Sequence, residues 1–148
     1  MKLTTKMYYG VRAVFDLAYF NGNNPTLIKD VAKRQEIPLK YLEQIFNKLK
    51  KANILNSKRG PHGGYVLARD PGKITLGDII RATEGPPHIV FCTTATGAEK
   101  KCSMKDRCVT SQVWMDLDQK INSFFDSISI ADLCERGSLL GIKQVTRP

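Results

Sequence analysis

Residues 39–69 read LKYLEQIFNKLKKANILNSKRGPHGGYVLAR, and the fold turns on what this stretch becomes. In its first half Leu42, Ile45, Phe46 and Leu49 recur at spacings of three and four, the period of a helix with one apolar side. Lys40, Tyr41, Gln44, Lys48 and Lys51 fall outward from that side. The second half has two short runs of strand composition around a Gly-rich tip, Gly60-Pro61-His62-Gly63-Gly64, the pattern of a hairpin. Lys58 and Arg59 flank the tip, and Arg69 follows further on.

The residues upstream give this stretch its context. Leu3, Met7, Val11, Val14, Phe15 and Ala18 predict an amphipathic helix over 3–20, stopped by Asn21-Gly22-Asn23-Asn24-Pro25. Thr26 is placed to cap a second helix running to about Gln35, with Leu27, Val31 and Ala32 inward. Glu36-Ile37-Pro38 is a short break, and Pro38 suits the start of the next helix. Two short helices across a tight turn, the second with a basic outer face, form a helix-turn-helix. Any small three-helix core would share that spacing; the basic hairpin that follows distinguishes this one, because it reads as a wing. Such a wing sets an arginine against the minor groove of DNA while the helix reads the major groove.

Charge points the same way. Residues 1–70 hold 13 Lys/Arg against 5 Asp/Glu, whereas the remaining 78 residues hold 10 against 9. A one-sided basic excess favours a polyanion as partner, here double-stranded DNA. No apolar run is long enough to cross a membrane. The start MKLTTKMYYG lacks the apolar core of a signal peptide, so a cytoplasmic location, with reduced thiols, is expected.

Beyond the wing, Asp70-Pro71-Gly72 turns the chain, and Thr75 with Asp78 has the spacing of a capping box for a helix to about Thr83. Gly85-Pro86-Pro87 then leads into FCTTATGAEKKCSMKDRC, residues 91–108, a stretch without helical or strand period. After it, Trp114, Leu117, Ile121, Phe124 and Ile128 trace one narrow apolar stripe, as a two-helix seam requires. The stripe could fold back on its own domain. Pairing with a second copy is favoured, because a dimer offers two reading helices to two half-sites. One or two further helical turns are expected from Ile130 to Arg136, then a frayed tail. The division that follows is a DNA-binding domain over 1–84, a cysteine loop over 85–108, a dimerisation helix and short C-terminal helix over 109–137, and a tail over 138–148.

Three blocks, MKLTTKMYYGVRA, YLEQIFNKLKKA and RGPHGGYVLARDP, together with ITLGDIIRATEG and three loop cysteines before VW, resemble the Rrf family of bacterial winged-helix regulators. That family includes the cluster regulator IscR, the nitric-oxide sensor NsrR and the cysteine-metabolism repressor CymR. The resemblance covers roughly residues 1–135. It implies a mainly α fold with a small β-hairpin wing, a winged helix-turn-helix joined to a long dimerisation helix, acting as a homodimer on a partly palindromic operator. It places Tyr41, Glu43 and Gln44 on the DNA-facing helix and Arg59 in the minor groove. A carboxylate such as Glu43 repels phosphate but accepts from a cytosine amino group. Pro38 and Lys40 depart from the family's small polar residues, so the operator should differ. Lys40, Lys48 and His62 complete the expected DNA contacts, His62 through phosphate.

The cysteines Cys92, Cys102 and Cys108 are soft donors, suited to an iron–sulfur cluster or zinc. Their spacing, Cys-x9-Cys-x5-Cys, contains none of the close pairs of familiar zinc sites and no Cys-x-x-Cys redox motif. Donor chemistry and the family position together favour a cluster, two-iron or four-iron, sensing iron–sulfur, redox or nitric-oxide status. A cluster generally takes four protein ligands. The resemblance puts Ser111 and Tyr8 where relatives place the fourth, so Ser111, His88, Asp106, Glu99 or a small exogenous ligand are the candidates. Cys134 reads as a helical core residue. The alternatives are a cluster-free regulator controlled by thiol oxidation, zinc or a partner protein, and a metal-carrying interaction scaffold. No nucleophile–base pair, paired carboxylates or phosphate loop points to an enzyme.

Overall fold

In the computed structural model, residues 3–90, 92, 102–104 and 107–144 are described. Along them run α1 (Thr5–Asn21), α2 (Ile28–Gln35), α3 (Leu39–Lys51), the strands β1 (Leu55–Lys58) and β2 (Gly64–Leu67), α4 (Leu76–Glu84), α5 (Ser111–Asp126) and α6 (Ile130–Leu139). The architecture is mainly α with a two-stranded wing, as the sequence predicts.

Local chemistry explains the boundaries. Thr4 and Met7 cap α1 reciprocally, and Thr75 and Asp78 do the same for α4. Leu3, expected within the first helix, precedes it and is exposed. α3 begins at Pro38, whose missing N–H costs nothing there. Thr26 does not cap α2. The N-cap is Leu27, without a side-chain hydrogen bond, and Leu27 is 52% exposed while Ile28 packs on the core instead. Thr26 is needed elsewhere: its backbone pairs with Tyr65 through N–H···O bonds of 2.9 and 2.8 Å, which joins a third extended segment to the wing. That close approach explains Gly64. Its φ is +148°, and a Cβ there would lie 2.5 Å from the Thr26 carbonyl oxygen. The hairpin pairs Leu55 with Leu67 and Lys58 with Gly64, antiparallel.

The core gathers around α1. Ala13, Val14 and Leu17 pack with Val31, with Leu42, Ile45, Phe46 and Leu49 of α3, and with Ile54, Leu55, Ile74 and Ile79, all within 1% of full burial. Each full burial of such a side chain is worth about 1.5–3 kcal/mol. The ring of Phe46 meets Tyr65 edge-on at 4.7 Å, locking α3 to the wing. Ile130 of α6 joins the same core at 0% exposure. Around it the backbone is stitched: the Leu76 amide donates to the Ile128 carbonyl (2.9 Å), and the Ile130 amide to that of Ile74 (2.8 Å). α6 extends to Leu139, further than expected, and the Tyr19 hydroxyl holds the Ile142 carbonyl at 2.6 Å. The C-terminal helix is therefore part of the core built around α1 and α3.

One buried charge escaped the sequence reading. Asp16, on α1, is completely buried. It accepts from Arg34 Nη2 (2.6 Å) and Nε (3.0 Å) and from Gln35 Nε2 (2.8 Å). Gln35 in turn receives Arg12, and the Arg34 guanidinium lies over the Phe20 ring. The network fixes the angle of α2 on α1.

Candidate nucleic-acid interface and cysteine loop

α3 is cleanly divided. Leu42, Ile45, Phe46 and Leu49 are fully inside, while Lys40, Glu43, Gln44 and also Asn47 are exposed along the other side. Spacings of three and four put these polar residues on one strip of the helix. Asn47 was missed because an isolated amide carries no charge signal. Tyr41 is half-buried, edge-on to Tyr9 at 5.7 Å. Tyr9 and Tyr8 both lie beneath the Arg12 guanidinium, so this aromatic group props the start of α3 against α1. Lys48 is exposed along its length, but its ammonium is engaged: Nζ donates to the Thr83 carbonyl, 2.5 Å away in the last turn of α4. Arg59 and His62 are exposed at the wing tip.

From α4 the chain passes through residues 85–90 toward the cysteines. Asp118 of α5, nearly buried, holds this connector. Its Oδ1 accepts from the Ile89 amide (2.8 Å), and its Oδ2 faces His88 Nδ1 (3.2 Å). Asn122 donates to the Pro87 carbonyl at 3.4 Å.

Cys92, Cys102 and Cys108 are each half-buried and free of disulfides. Cys108 stands just before α5. A hydrogen bond from the Thr110 hydroxyl (3.4 Å), reinforced by the Thr110 and Ser111 amides, holds its thiol below the usual range. The start of a helix favours that thiolate too. Ser111 spends its hydroxyl on the Cys108 carbonyl at 2.9 Å. Cys134 packs against the core, and burial pushes its thiol up. Asp106 and Glu99 lie outside the described residues. Among the described residues, no three His, Cys, Asp or Glu side chains are gathered into a metal-holding group. By donor type the three loop thiols fit an iron–sulfur cluster: all are soft, all are reachable from solvent, and one is already biased toward the thiolate that a metal requires.

α5 packs against α4 but leaves most of itself bare. Of its residues only Asp118 is buried. Val113, Trp114, Met115, Leu117 and Phe124 are exposed, with Val109 just ahead of them.

A helix-turn-helix whose second helix presents a polar strip, followed directly by a basic wing, defines a winged-helix DNA-binding transcription regulator. The Rrf2 family model, described as an iron-dependent transcriptional regulator, matches residues 3–136, and the chain belongs to that family. It is 38% identical over 142 residues to the HTH-type transcriptional regulator IscR of Xenorhabdus nematophila, a match covering 96% of this chain and 84% of that protein. Its structure is similar to that of T. potens IscR, with a TM-score of 0.76 and 38% identity over 97% of this chain and 93% of the other. It is also similar to CymR, the global cysteine regulator of B. subtilis, with a TM-score of 0.72 and 32% identity over 92% and 98% of the two chains. The chain is thus a DNA-binding transcription regulator of the IscR and CymR type, not an enzyme. No helix among the described residues is long and apolar enough to cross a membrane.

Proposed function

We propose that this regulator works in the cytoplasm as a homodimer on a partly palindromic operator, with its affinity set by an iron–sulfur cluster on Cys92, Cys102 and Cys108. The observation that carries the DNA reading is the two-sided character of α3, whose Leu42, Ile45, Phe46 and Leu49 are wholly buried while Lys40, Glu43 and Gln44 stand exposed. In this reading Glu43 and Gln44 read base edges, Lys40 and His62 meet phosphate, and Arg59 enters the minor groove. Tyr41 reaches the duplex with its outer edge. The bare face of α5 supports pairing with a second copy, which spaces two recognition helices for two half-sites. When bound, a cluster supplies sensitivity to oxidants, nitric oxide or iron supply. The chain's own part is to carry Cys92 beyond the connector that Asp118 ties to α5, and Cys108 just before the start of that helix.

The test is selection of bound sites from random duplex DNA by the cluster-loaded and cluster-free protein, followed by salt titrations on the winning sites. The expected result is an inverted repeat, with Arg59→Ala and Gln44→Ala each weakening binding about 5- to 100-fold, the loss of one good contact. Selection of the same sites at equal affinity by both forms would remove the cluster from the control of DNA binding. A flat salt dependence would remove the phosphate contacts themselves.

A further inference from the structure

We infer that Asn47 is a base-reading residue of α3 and specifies an adenine next to the base pair that Gln44 meets; this rests on α3 being the helix that enters the major groove. The two flanks of α3 are engaged within the protein. On one, Tyr41 stands edge-on to Tyr9 of α1, and Lys48 donates to the Thr83 carbonyl of α4. On the other, Lys50 Nζ donates to the Ser57 hydroxyl of β1 at 3.0 Å, and Glu43, two turns earlier, falls on that same side. Each residue turns the helix by about 100°, which puts Lys40, Gln44, Asn47 and Lys51 within about 30° of the line opposite the buried face. Glu43 and Lys48 stand about 70° to either side of that line. Lys40, Gln44, Asn47 and Lys51 are all exposed, and the Asn47 amide has no hydrogen-bond partner among the described residues. The outermost ridge of α3 thus carries Asn47 more centrally than Glu43.

The chemistry along this ridge is ordered. A lysine stands at each end, the two about 16 Å apart along the axis, with two carboxamides between them. The major groove is about 12 Å wide, with phosphates along its walls and base edges on its floor. Long, flexible ammonium groups at the ends suit the walls, and amides on the crest suit the floor. Asparagine is too short to swing from the crest to a wall. Its amide offers a donor and an acceptor side by side, the complement of adenine N6 and N7. Gln44 and Asn47 are about 4.5 Å apart along the axis, close to the base-pair rise of about 3.4 Å, so the two amides meet neighbouring pairs. Helix propensity gives no reason for this residue. Asparagine is a poor helix former, and lysine, glutamate or glutamine would serve an exposed helical position better.

The experiment takes the full-length protein through selection from random duplexes as wild type, Asn47→Ala, Asn47→Lys and Gln44→Ala. The wild-type sites are expected to carry an adenine at a fixed position of each half-site that neither Asn47 variant prefers. Discrimination at that position should fall about 5- to 100-fold, with the rest of the site retained. Gln44→Ala should relax a neighbouring position instead. The selected adenine is then replaced by 7-deazaadenine, which keeps its pairing edge but lacks the N7 acceptor. The replacement should weaken the wild type and leave Asn47→Ala unaffected. Asn47→Ala that binds every sequence more weakly by one factor would move the amide to phosphate and overturn the inference. Site preferences unchanged in both Asn47 variants would overturn it too, as would an equal response of wild type and Asn47→Ala to 7-deazaadenine. A wild type that selects no common site would overturn the operator reading of α3 together with this one.

Discussion

The most exposed risk at the scale of single residues is the carboxylate buried in the helix-turn-helix. Asp16 is held by Arg34, whose own guanidinium is kept protonated chiefly by the hydrogen bonds it makes there. Removing one member of a buried pair strands the other charge, at a cost of about 3–5 kcal/mol. Arg34→Met is therefore expected to lower the urea midpoint sharply, with the value moderated because Arg34 is partly exposed. The double variant Asp16→Leu with Arg34→Met should recover most of the loss. A single variant as stable as the wild type would show the network to be passive. This pair also marks where the sequence was unreadable: Asp16 sits on an apolar helix, and nothing in spacing alone says that Arg34, eighteen residues away, will meet it. The cysteines were readable by type but not by setting. Cys134 reads from the sequence as a core residue and packs as one, whereas the hydrogen bonds that bias the Cys108 thiol follow only from how the chain folds.

Elements carry the next set of consequences. The wing depends on Gly64, so Gly64→Ala should displace β2 from Thr26 and cost operator affinity while the helical core, read by circular dichroism, persists. The cap of α4 gives a pH dependence with a definite sign. Burial would raise the Asp78 carboxyl, but the Thr75 amide and the Arg81 and Arg69 guanidinia outweigh it and hold it below the usual range. Its contribution is therefore present above the ordinary carboxylate value and is lost as pH falls through the depressed one. Asp78→Asn should be less stable than the wild type at neutral pH, with the gap closing on acidification below about pH 4. Thermal melts across that window would show it; a constant gap would mean the charge plays no part. Lys48 tests how α3 is tethered. If its main partner is the Thr83 carbonyl, Lys48→Met will weaken binding with the salt slope unchanged, whereas a lysine on phosphate would reduce that slope by about one. The elements themselves were legible because α3 and the hairpin have strong periods and a Gly-rich tip. Thr26 misled because its backbone pairs with Tyr65 and its hydroxyl accepts from the Asn21 side chain instead of capping α2.

At the scale of the whole molecule, the bare α5 is the feature a monomer does not explain. Trp114, Leu117 and Phe124 are exposed on a helix whose single buried residue is an aspartate. If the proposed homodimer pairs through this face, Phe124→Glu, at a position 60% exposed, should leave the fold intact and give a monomer in sedimentation, with operator affinity falling at least tenfold because one half-site is then bound alone. An unchanged dimer would move the interface elsewhere. The stripe was visible in the sequence as a period. Its partner was not, since a seam within one chain and a seam between two have the same pattern.

The stitching of Ile128 and Ile130 onto Leu76 and Ile74 also sets the order in which the protein can come into being. The reading helix and wing are made first, yet their core stays open until residue 130 arrives. A nascent chain emerging from the ribosome can pack α3 against α1, α2 and α4, but its core lacks Ile130 and the backbone bonds at Ile74 and Leu76 until α6 is synthesised. The core around the reading helix is thus complete only after Cys92, Cys102 and Cys108 have been made.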